Sequence, residues 1–403
     1  MKIRTITYFL DPDWPINNNA LQKAGEFNAA AHTAFEALGY EIQTSRLATI
    51  PFPYLLPLVD ADNLIKLAQD LEITANAFGF QYLSLGPALP EGLENFDLIP
   101  AVLKATKNVF LTGLMSTQNG DISLPAVRQC AEIIQQAASI TLDGFTNLRF
   151  AALAKVPPGA PFFPAAYHSK GDPSFALGTE AADLAVEVLS TAHTLKEAHL
   201  RLIGLIEEHA KALSFGAWKL SHLFDIPFGG IDFTLAPFPT DELSFGNAIE
   251  QLGVPAIGLH GSLAAAAFLT DTLDRASFQR AGFNGLFMPV LEDATLAARA
   301  AEGTMSVKDL LLYSTVCGTG LDTVPLPGDT STEQLYAILL DLAALAHRLD
   351  KPLTARLMPL PGKSAGDPTD FDFAYFANSH VMELQAKPLG NLLTKRGNIS
   401  LGR

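Results

Sequence analysis

The apolar positions of the chain change repeatedly between the spacing of strands and the spacing of helices. Ile3–Leu10 is β-branched and aromatic with partial alternation, which predicts a strand. The Ala-rich residues Ala20–Leu38 carry apolar side chains at helical spacing and end at Gly39, which suits the end of a helix. Repeated units of this kind predict an α/β protein with a mostly parallel sheet covered by helices.

Further segments extend this pattern to the end of the chain. We predict strands at Tyr40–Leu47, Gln81–Leu85, Val109–Leu114, Ile231–Leu235 and Pro255–Leu259. We predict helices at Ala61–Phe78, Ala126–Ala138, Glu180–Leu213, Leu243–Leu252, Leu263–Leu273 and Glu333–Arg348. The remaining apolar elements are Gly285–Val290, Leu310–Val316 and Leu353–Leu360. Because no linker-like stretch or fixed repeat divides the chain, we expect one continuous domain over residues 1–403.

Composition narrows the class of protein and its partners. Only 17% of the 403 residues are charged, against about 25% in average globular chains. The net charge is −15 and no Lys/Arg cluster interrupts it, so we expect no nucleic-acid partner. Few charges together with 26 Phe fit either a subunit interface of a homo-oligomer or simply a large core.

The cysteines and the apolar runs predict a soluble cytoplasmic protein. Cys130 and Cys317 are far apart in sequence, which excludes a disulfide framework and a thiolate-rich metal site. The first four residues lack the apolar stretch of a signal peptide. The longest apolar run, around Leu263–Leu269, is too short to span a bilayer, so we expect no membrane partner.

Candidate functional residues concentrate in loops, where a rigid α/β scaffold usually carries them. The first loop, Asn147–His168, contains two Pro-rich turns that restrict its path. It is either a rigid binding loop that presents Arg149 and His168 to a ligand, or a stiff connection packed by Phe162 and Phe163.

Two more loops place one titratable residue beside glycines. Asp232 follows Gly229-Gly230, a pair that allows close approach of the backbone to a ligand, although a solvated Asp in a strand-entry turn fits equally well. His260 lies between Gly258 and Gly261. It is either a proton carrier or metal ligand, or an ordinary loop histidine.

The segment Cys317–Glu333 is the densest in candidate chemistry. Asp322 and Asp329 supply carboxylates, and Gly328 frees the backbone beside them. Cys317 is a nucleophile only if its thiolate is stabilised. The sequence has no glycine pattern typical of ATP or NAD binding, so neither is supported and the cofactor is left open. Asp232, Asp322 or Asp329 would orient a base or bind a divalent cation, so a metal is left open as well.

Two features near the end of the chain suit an anion. Thr330 and Glu333 have the spacing of a capping box, and the start of a helix attracts anions through its N–H groups. Arg356–Asp367 holds Lys363 in a Gly-rich loop after a strand. This lysine is either a clamp for a carboxylate or phosphate, or a solvated turn residue.

Long stretches at these loops resemble an uncharacterised family found in bacteria and archaea. The stretches are PPGAPFFPAAYH, FGGIDFTLAPFP, VCGTGLDTVPLPGDT and RLMPLPGKSAGD, and the N-terminal IRTIT fits as well. The resemblance implies a pyruvate formate-lyase-like α/β barrel, in which ten strands form two half-barrels surrounded by helices. It implies no established reaction.

This resemblance also raises a chemical question. The lyases carry a radical glycine in an Arg-Val-x-Gly-Tyr setting near the C-terminus, together with an adjacent cysteine pair. The nearest stretch here, Thr394–Asn398, lacks the valine and the tyrosine, and the two cysteines are not adjacent. We therefore expect no glycyl-radical chemistry.

Two functions remain open at this point. The first is an enzyme that acts on a small anionic metabolite at the mouth of the barrel, and the second is a non-catalytic small-molecule-binding or assembly protein on a degenerate barrel. The predicted catalytic residues are Asp232, His260, Cys317 and Asp322. The predicted ligand-binding residues are Arg149, His168, Gly328, Asp329 and Lys363. Both sets assume that the five loops converge in space.

Overall fold

The computed structural model describes residues 1–401, and in this range it is a mixed α/β fold with a large central sheet. The strands are β1 (Lys2–Leu10), β2 (Ile42–Thr49), β3 (Tyr82–Ala88), β4 (Val109–Leu114), β5 (Ile122–Ser123), β6 (Phe150–Ala154), β7 (Ser174–Glu180), β8 (Phe228–Asp232), β9 (Thr234–Leu235), β10 (Gly285–Leu286), β11 (Gly320–Pro327), β12 (Leu353–Leu360) and β13 (Asn398–Ile399). The helices are α1 (Asn18–Glu36), α2 (Ala61–Ala77), α3 (Ile99–Ala105), α4 (Leu124–Ala138), α5 (Ala182–Thr191), α6 (Leu195–Phe224), α7 (Phe245–Gln251), α8 (Ser262–Arg275), α9 (Ala294–Glu302), α10 (Val307–Tyr313) and α11 (Thr332–Leu349). The prediction of an α/β protein is confirmed.

The central sheet has nine strands in the order β11-β12-β6-β4-β3-β2-β1-β7-β8. Strands β1, β2, β3, β4 and β6 run parallel to one another. The flanking strands run the other way, because β7 is antiparallel to β1 and β12 is antiparallel to β6. On the outer sides, β8 is parallel to β7 and β11 is parallel to β12. The sheet therefore has a central parallel set of five strands and a parallel pair of strands on each side. The pairings of β7 with β1 and of β12 with β6, which are antiparallel, join the outer pairs to the central set.

The short strands β9 and β10 connect to both edges of this sheet. β9 follows β8 in the chain after one residue and pairs in parallel with β10. On the other side of β10, a parallel bridge joins Pro289 to Asp322 of β11, and the Gly318 N–H donates to the Leu286 carbonyl at 2.8 Å. The outer strands β8 and β11 thus both approach the β9–β10 pair.

The two faces of the sheet are covered by different parts of the chain. Because side chains alternate along a strand, Tyr8 of β1 packs with Phe27 of α1, while the neighbouring Phe9 belongs to a separate cluster with Phe110 and Phe163. Phe163 lies in residues 155–173, the connection from β6 to β7. This connection is therefore packed against the face of β1 opposite to α1.

Three local predictions need correction. The predicted helix Glu180–Leu213 is two helices, because Thr194 caps α6 by accepting from the Glu197 N–H at 3.1 Å while Ala192 is extended. The predicted strand Pro255–Leu259 forms turns. Gly258 there has φ +105°, and a Cβ atom would lie 2.2 Å from the Thr304 carbonyl oxygen, so only glycine fits.

The cap of α11 also lies one residue later than predicted from Thr330 and Glu333. Ser331 accepts from the Gln334 N–H, and the Gln334 side chain accepts from the Ser331 N–H at 3.0 Å. Thr330 instead donates its hydroxyl hydrogen to the Pro327 carbonyl at 2.6 Å, which uses it in the preceding turn. Among residues 1–401, no helix combines the length and the apolar character needed to cross a bilayer.

Candidate functional site: a buried arginine cavity

Three arginines from three strands line one small cavity. They are Arg4 on β1, Arg46 on β2 and Arg356 on β12, and the cavity has a volume of about 50 Å³ and is open to solvent on one side. The remaining walls combine hydroxyl, amide, carboxylate and aromatic side chains. They are Gln43, Thr44, Tyr82, Phe110, Leu148, Phe163, Glu292, Phe373 and Tyr375.

Arg356 is held by two carboxylates. Its Nη2 lies 2.6 Å from Glu292 Oε1, and its Nε lies 2.5 Å from Asp322 Oδ1. The second oxygen of Glu292 contacts Arg4, whose Nη1 also donates to the Pro237 carbonyl at 3.3 Å. Two arginines and two carboxylates therefore neutralise each other in a region where Arg356 and Asp322 are almost fully buried.

The pKa values of the two carboxyls differ because their neighbours differ. Arg356 and Arg4 together hold the pKa of Glu292 below its usual range, against the effect of burial. Burial raises the pKa of Asp322, which Arg356 opposes and Glu292 reinforces. Asp322 Oδ2 is buried without a hydrogen-bond partner. The pKa values of the two carboxyls therefore shift in opposite directions, although both carboxyls pair with Arg356.

Arg46 has a very different environment from Arg356. Its Nε donates to Thr44 Oγ1 at 2.9 Å, and the Thr44 hydroxyl in turn donates to the Arg4 carbonyl at 2.9 Å. Its guanidinium carbon lies 5.2 Å from the Phe163 ring centroid and 5.8 Å from that of Tyr82. In the described part of the chain, no carboxylate forms an ion pair with it.

Burial without a counter-charge has an electrostatic consequence for Arg46. The side chain is 7% exposed, and this burial lowers its pKa from 12.5 to about 9, with Arg4 and Arg356 adding to the decrease. An isolated charge in such a position is unfavourable unless a partner is supplied. Among residues 1–401, the guanidinium of Arg46 thus has no carboxylate as a counter-charge.

A strained bulge directs Asp322 into this cluster. The register between β11 and β12 shifts between Leu321 and Val324, and Thr323 within the shift has φ +43°. A positive φ is unfavourable for a β-branched residue, and bulges often redirect side chains next to functional sites. The Leu291 N–H donates to Thr323 Oγ1 at 3.3 Å, which ties the bulge to the turn containing Glu292.

Residues 155–173 form one wall of the cavity. Thr7 Oγ1 donates to the Pro161 carbonyl at 2.9 Å, and Ser84 Oγ donates to the Ala166 carbonyl at 2.6 Å, so strand hydroxyls anchor the loop. Phe163 then lies beneath Arg46, while Arg356 lies 5.8 Å from the Phe162 ring centroid. Residues 160–168 of this loop are buried, whereas residues 157–158 and 169–172 are exposed.

Arg149 and His168 lie outside the cavity lining. Arg149 donates to the carbonyls of Leu103 at 2.6 Å and Val109 at 3.2 Å, which ties α3 to β4, and burial lowers its pKa to about 10. The His168 N–H donates to the Thr49 carbonyl at 2.9 Å, and burial lowers the pKa of its ring. The Arg149 side chain and the His168 main-chain N–H each hold backbone segments in place.

Asp232, Cys317 and His260 do not line the cavity. The carboxylate of Asp232 accepts from the N–H groups of Asn284 at 2.8 Å and Phe283 at 3.1 Å, and burial raises its pKa to about 7. Cys317 is buried, with its Sγ donating to the Leu286 carbonyl at 3.0 Å. His260 is exposed. Within residues 1–401, no His, Cys, Asp or Glu side chains form a group of three suited to a metal ion.

Gly328, Asp329 and Lys363 come from two loops that do meet. The Gly328 N–H donates to the Lys363 carbonyl at 2.9 Å, and Asp329 beside it is exposed. The Lys363 ammonium donates to the Pro368 carbonyl at 2.6 Å and pairs with Asp370 at 2.8 Å. Its hydrogen bonds therefore serve the loop itself.

Of the nine residues predicted from sequence, the structure brings Asp322 into the arginine cluster. The residues that sequence reasoning missed are Arg4, Arg46, Arg356, Glu292 and Tyr82. One signal was present, because each arginine stands within a predicted strand or apolar element. A charge there is expensive to bury and indicates a partner or a ligand.

The fold and the cavity together define the class, which is an α/β protein with a buried, arginine-lined cavity beside a central sheet. The family model described as Uncharacterised ACR (DUF711) matches residues 1–378, and the chain belongs to this family. A UPF0210 protein of Pyrobaculum aerophilum is 32% identical over 390 residues, which cover 91% of this chain and 84% of the relative. UPF0210 proteins of Acetivibrio thermocellus and Oenococcus oeni are 30% and 28% identical, covering 83% and 95% of this chain and 77% and 88% of their own lengths. The resemblance to an uncharacterised family of bacteria and archaea is confirmed.

Proposed function

We propose that this protein binds a small anionic metabolite in the arginine cavity and acts on it there as an enzyme. The observation that carries the proposal is Arg46, a buried guanidinium that lines a cavity and has no carboxylate partner among residues 1–401. An anion in the cavity supplies the missing counter-charge, and charge-assisted hydrogen bonds to it are about twice as strong as neutral ones.

We further infer that the sheet closes into a ten-stranded barrel formed by one domain. The first five-stranded set is β1, β2, β3, β4 and β6, and the second is β7, β8 with β9, β10, β11 and β12. The bridges that link β8 and β11 to the β9–β10 pair support this closure. The cavity then lies at one mouth of the barrel, and residues 155–173 fill its interior.

The contacts of Asp322 and Cys317 limit the chemistry of the proposed site. Asp322 has one oxygen on Arg356 and one buried oxygen without a partner, and it does not line the cavity, so its role there is to hold Arg356. Cys317 donates to a backbone carbonyl and does not line the cavity, which argues against a thiol-based step at this site. Binding without turnover is the competing outcome of the tests.

A first experiment measures anion binding to the full chain by calorimetry and by thermal shift. We expect acetate to bind and to raise the melting temperature, and we expect Arg46→Gln to abolish both effects. Arg275→Gln is the matched control, because Arg275 is exposed and pairs only with Asp271 on α8. If no anion, inorganic phosphate and malonate included, binds in an Arg46-dependent way, the proposal is wrong.

The assembly function has one observation in its favour. Phe215, Trp218 and Leu223 are exposed on α6, and exposed aromatic side chains in a patch often mark a contact between subunits. Light scattering of the parent and of Trp218→Gln tests a homo-oligomer. A parent dimer that becomes a monomer in the variant supports this function, and a monomeric parent contradicts it.

A further inference from the structure

We infer that the ligand of the arginine cavity is a short monocarboxylate rather than a dianion, an inference that rests on the proposed function. The first argument is the charge of the cavity. Arg4 and Arg356 are paired with Glu292 and Asp322, which leaves Arg46 as the single uncompensated charge. One negative charge completes this balance, and a second one would be left without a partner beside two carboxylates.

Other charged groups near the cavity leave this balance unchanged. Glu180 lies next to the lining residue Gln43, whose side-chain amide donates to it at 2.9 Å. Lys2 is ion-paired with Glu41 at 2.9 Å, and Lys2 and Arg4 both act favourably on the Glu180 carboxylate. Neither Lys2 nor Glu180 is among the groups that shift the pKa of Arg46, which are Arg4, Arg356, Glu292 and Tyr82.

The geometry of Arg46 favours a planar carboxylate. Its Nε is already engaged by Thr44, so the two terminal nitrogens remain as a fork. Such a fork matches the two oxygens of one carboxylate in a bidentate pair. The rings of Phe163 and Tyr82 lie near the guanidinium and restrict its orientation. A ligand held in this way extends its tail towards aromatic walls.

The size of the cavity sets the length of that tail. A volume of about 50 Å³ accommodates roughly three to five water-sized groups at about 10–15 Å³ each. Acetate and propionate have this number of non-hydrogen atoms and fit inside the cavity, whereas part of benzoate would extend through its open side. The apolar walls, with Phe110, Phe163 and Phe373 among them, favour a tail without charge.

The test compares the affinities of six probes for the full chain by calorimetry at one ionic strength. The probes are acetate, propionate, malonate, inorganic phosphate, benzoate and the neutral acetamide. We expect acetate or propionate to bind at least tenfold more tightly than malonate, phosphate and benzoate, and acetamide to show no binding. Arg46→Gln should weaken the best ligand at least tenfold, while Arg275→Gln should leave its affinity unchanged.

The outcomes separate this inference from the proposed function. If malonate, phosphate or benzoate binds as tightly as acetate and the binding depends on Arg46, the monocarboxylate inference is wrong and the anion site stands. If no probe binds in an Arg46-dependent way, the proposed function itself fails. Arg46→Lys, which keeps the charge and removes the fork, should bind acetate more weakly than the parent. Melting curves of both variants show whether a loss of binding reflects misfolding.

Discussion

Arg46 and Arg356 are two buried arginines of one cavity with opposite environments. They are 7% and 5% exposed, and each lies over a phenylalanine of the same loop. Arg356 contacts Glu292 and Asp322, whereas Arg46 has only the Thr44 hydroxyl. Burial alone therefore does not distinguish a structural arginine from one that binds a ligand. The distinction lies in whether the protein itself supplies the counter-charge.

The contrast has a thermodynamic basis. A buried charge that loses its partner is strongly destabilising, while a buried charge without a partner already contributes little or negatively to stability. We therefore expect a substitution of one arginine to affect mainly the stability of the fold, and a substitution of the other to affect mainly ligand binding. The structure predicts that Arg356 supports folding, and we propose that Arg46 supports ligand binding.

The largest expected effect is on stability at Arg356. Arg356→Gln leaves Asp322 and one oxygen of Glu292 buried without a cation, and we expect a loss of about 3–5 kcal/mol in the free energy of unfolding. Arg46→Gln should change the free energy of unfolding by no more than about 1 kcal/mol, or increase it. Denaturant unfolding at pH 7 without added anion measures both. Equal losses in the free energy of unfolding of the two variants would contradict the predicted difference between Arg356 and Arg46.

A second prediction concerns the stability of the fold at acidic pH. The folded-state pKa of Glu292 lies below its unfolded value, so its contribution is present above the unfolded pKa of about 4.3 and is lost as pH falls through the folded value. Charged hydrogen bonds of this kind contribute about 1.5–3 kcal/mol. Glu292→Gln should make the free energy of unfolding depend less on pH on the acid side of the stability profile. Arg46→Gln should leave that side unchanged, because no carboxylate among residues 1–401 pairs with Arg46.

A third prediction uses the two phenylalanines beneath the arginines. Phe163→Leu removes the ring next to Arg46, and Phe162→Leu removes the ring next to Arg356. Each should cost about 1 kcal/mol of stability, as for a similar core substitution. We expect only Phe163→Leu to weaken acetate binding, by a few-fold, because the ring orients the guanidinium fork. Acetate titrations of both variants test this, and equal weakening would contradict it.

The sequence predicts the alternation of strands and helices well, because that pattern is local. The alternation of Ile3–Leu10 and the spacing of Ala20–Leu38 both correspond to observed elements, β1 and α1. The cavity was not predicted, because its arginines are 42 and 310 residues apart (46 − 4 = 42 and 356 − 46 = 310) and only the pairing of strands brings them together. Asp322 was found from its glycine-rich setting, although the bulge at Thr323 that directs it has no sequence signature.

The smallest effects are expected at Lys363 and His260, which the sequence pattern predicts as functional residues but which do not line the cavity. Lys363 pairs with the exposed Asp370 and bonds its own loop, and His260 is exposed. An exposed ion pair contributes about 0–1 kcal/mol, so Lys363→Met and His260→Ala should change the free energy of unfolding by about 0.5 kcal/mol or less. Their acetate affinities should equal that of the parent.

This last measurement compares the loop hypothesis directly with the cavity. If Lys363→Met abolishes acetate binding while Arg46→Gln does not, the anion site lies in the loop that contains Lys363, as the sequence pattern predicts. If the reverse holds, the loop lysine is a local structural residue, because its ammonium is already bonded to Pro368 and Asp370. We propose the cavity as the anion site because, in residues 1–401, Arg46 is a buried cation without a carboxylate partner whereas Lys363 is paired with Asp370.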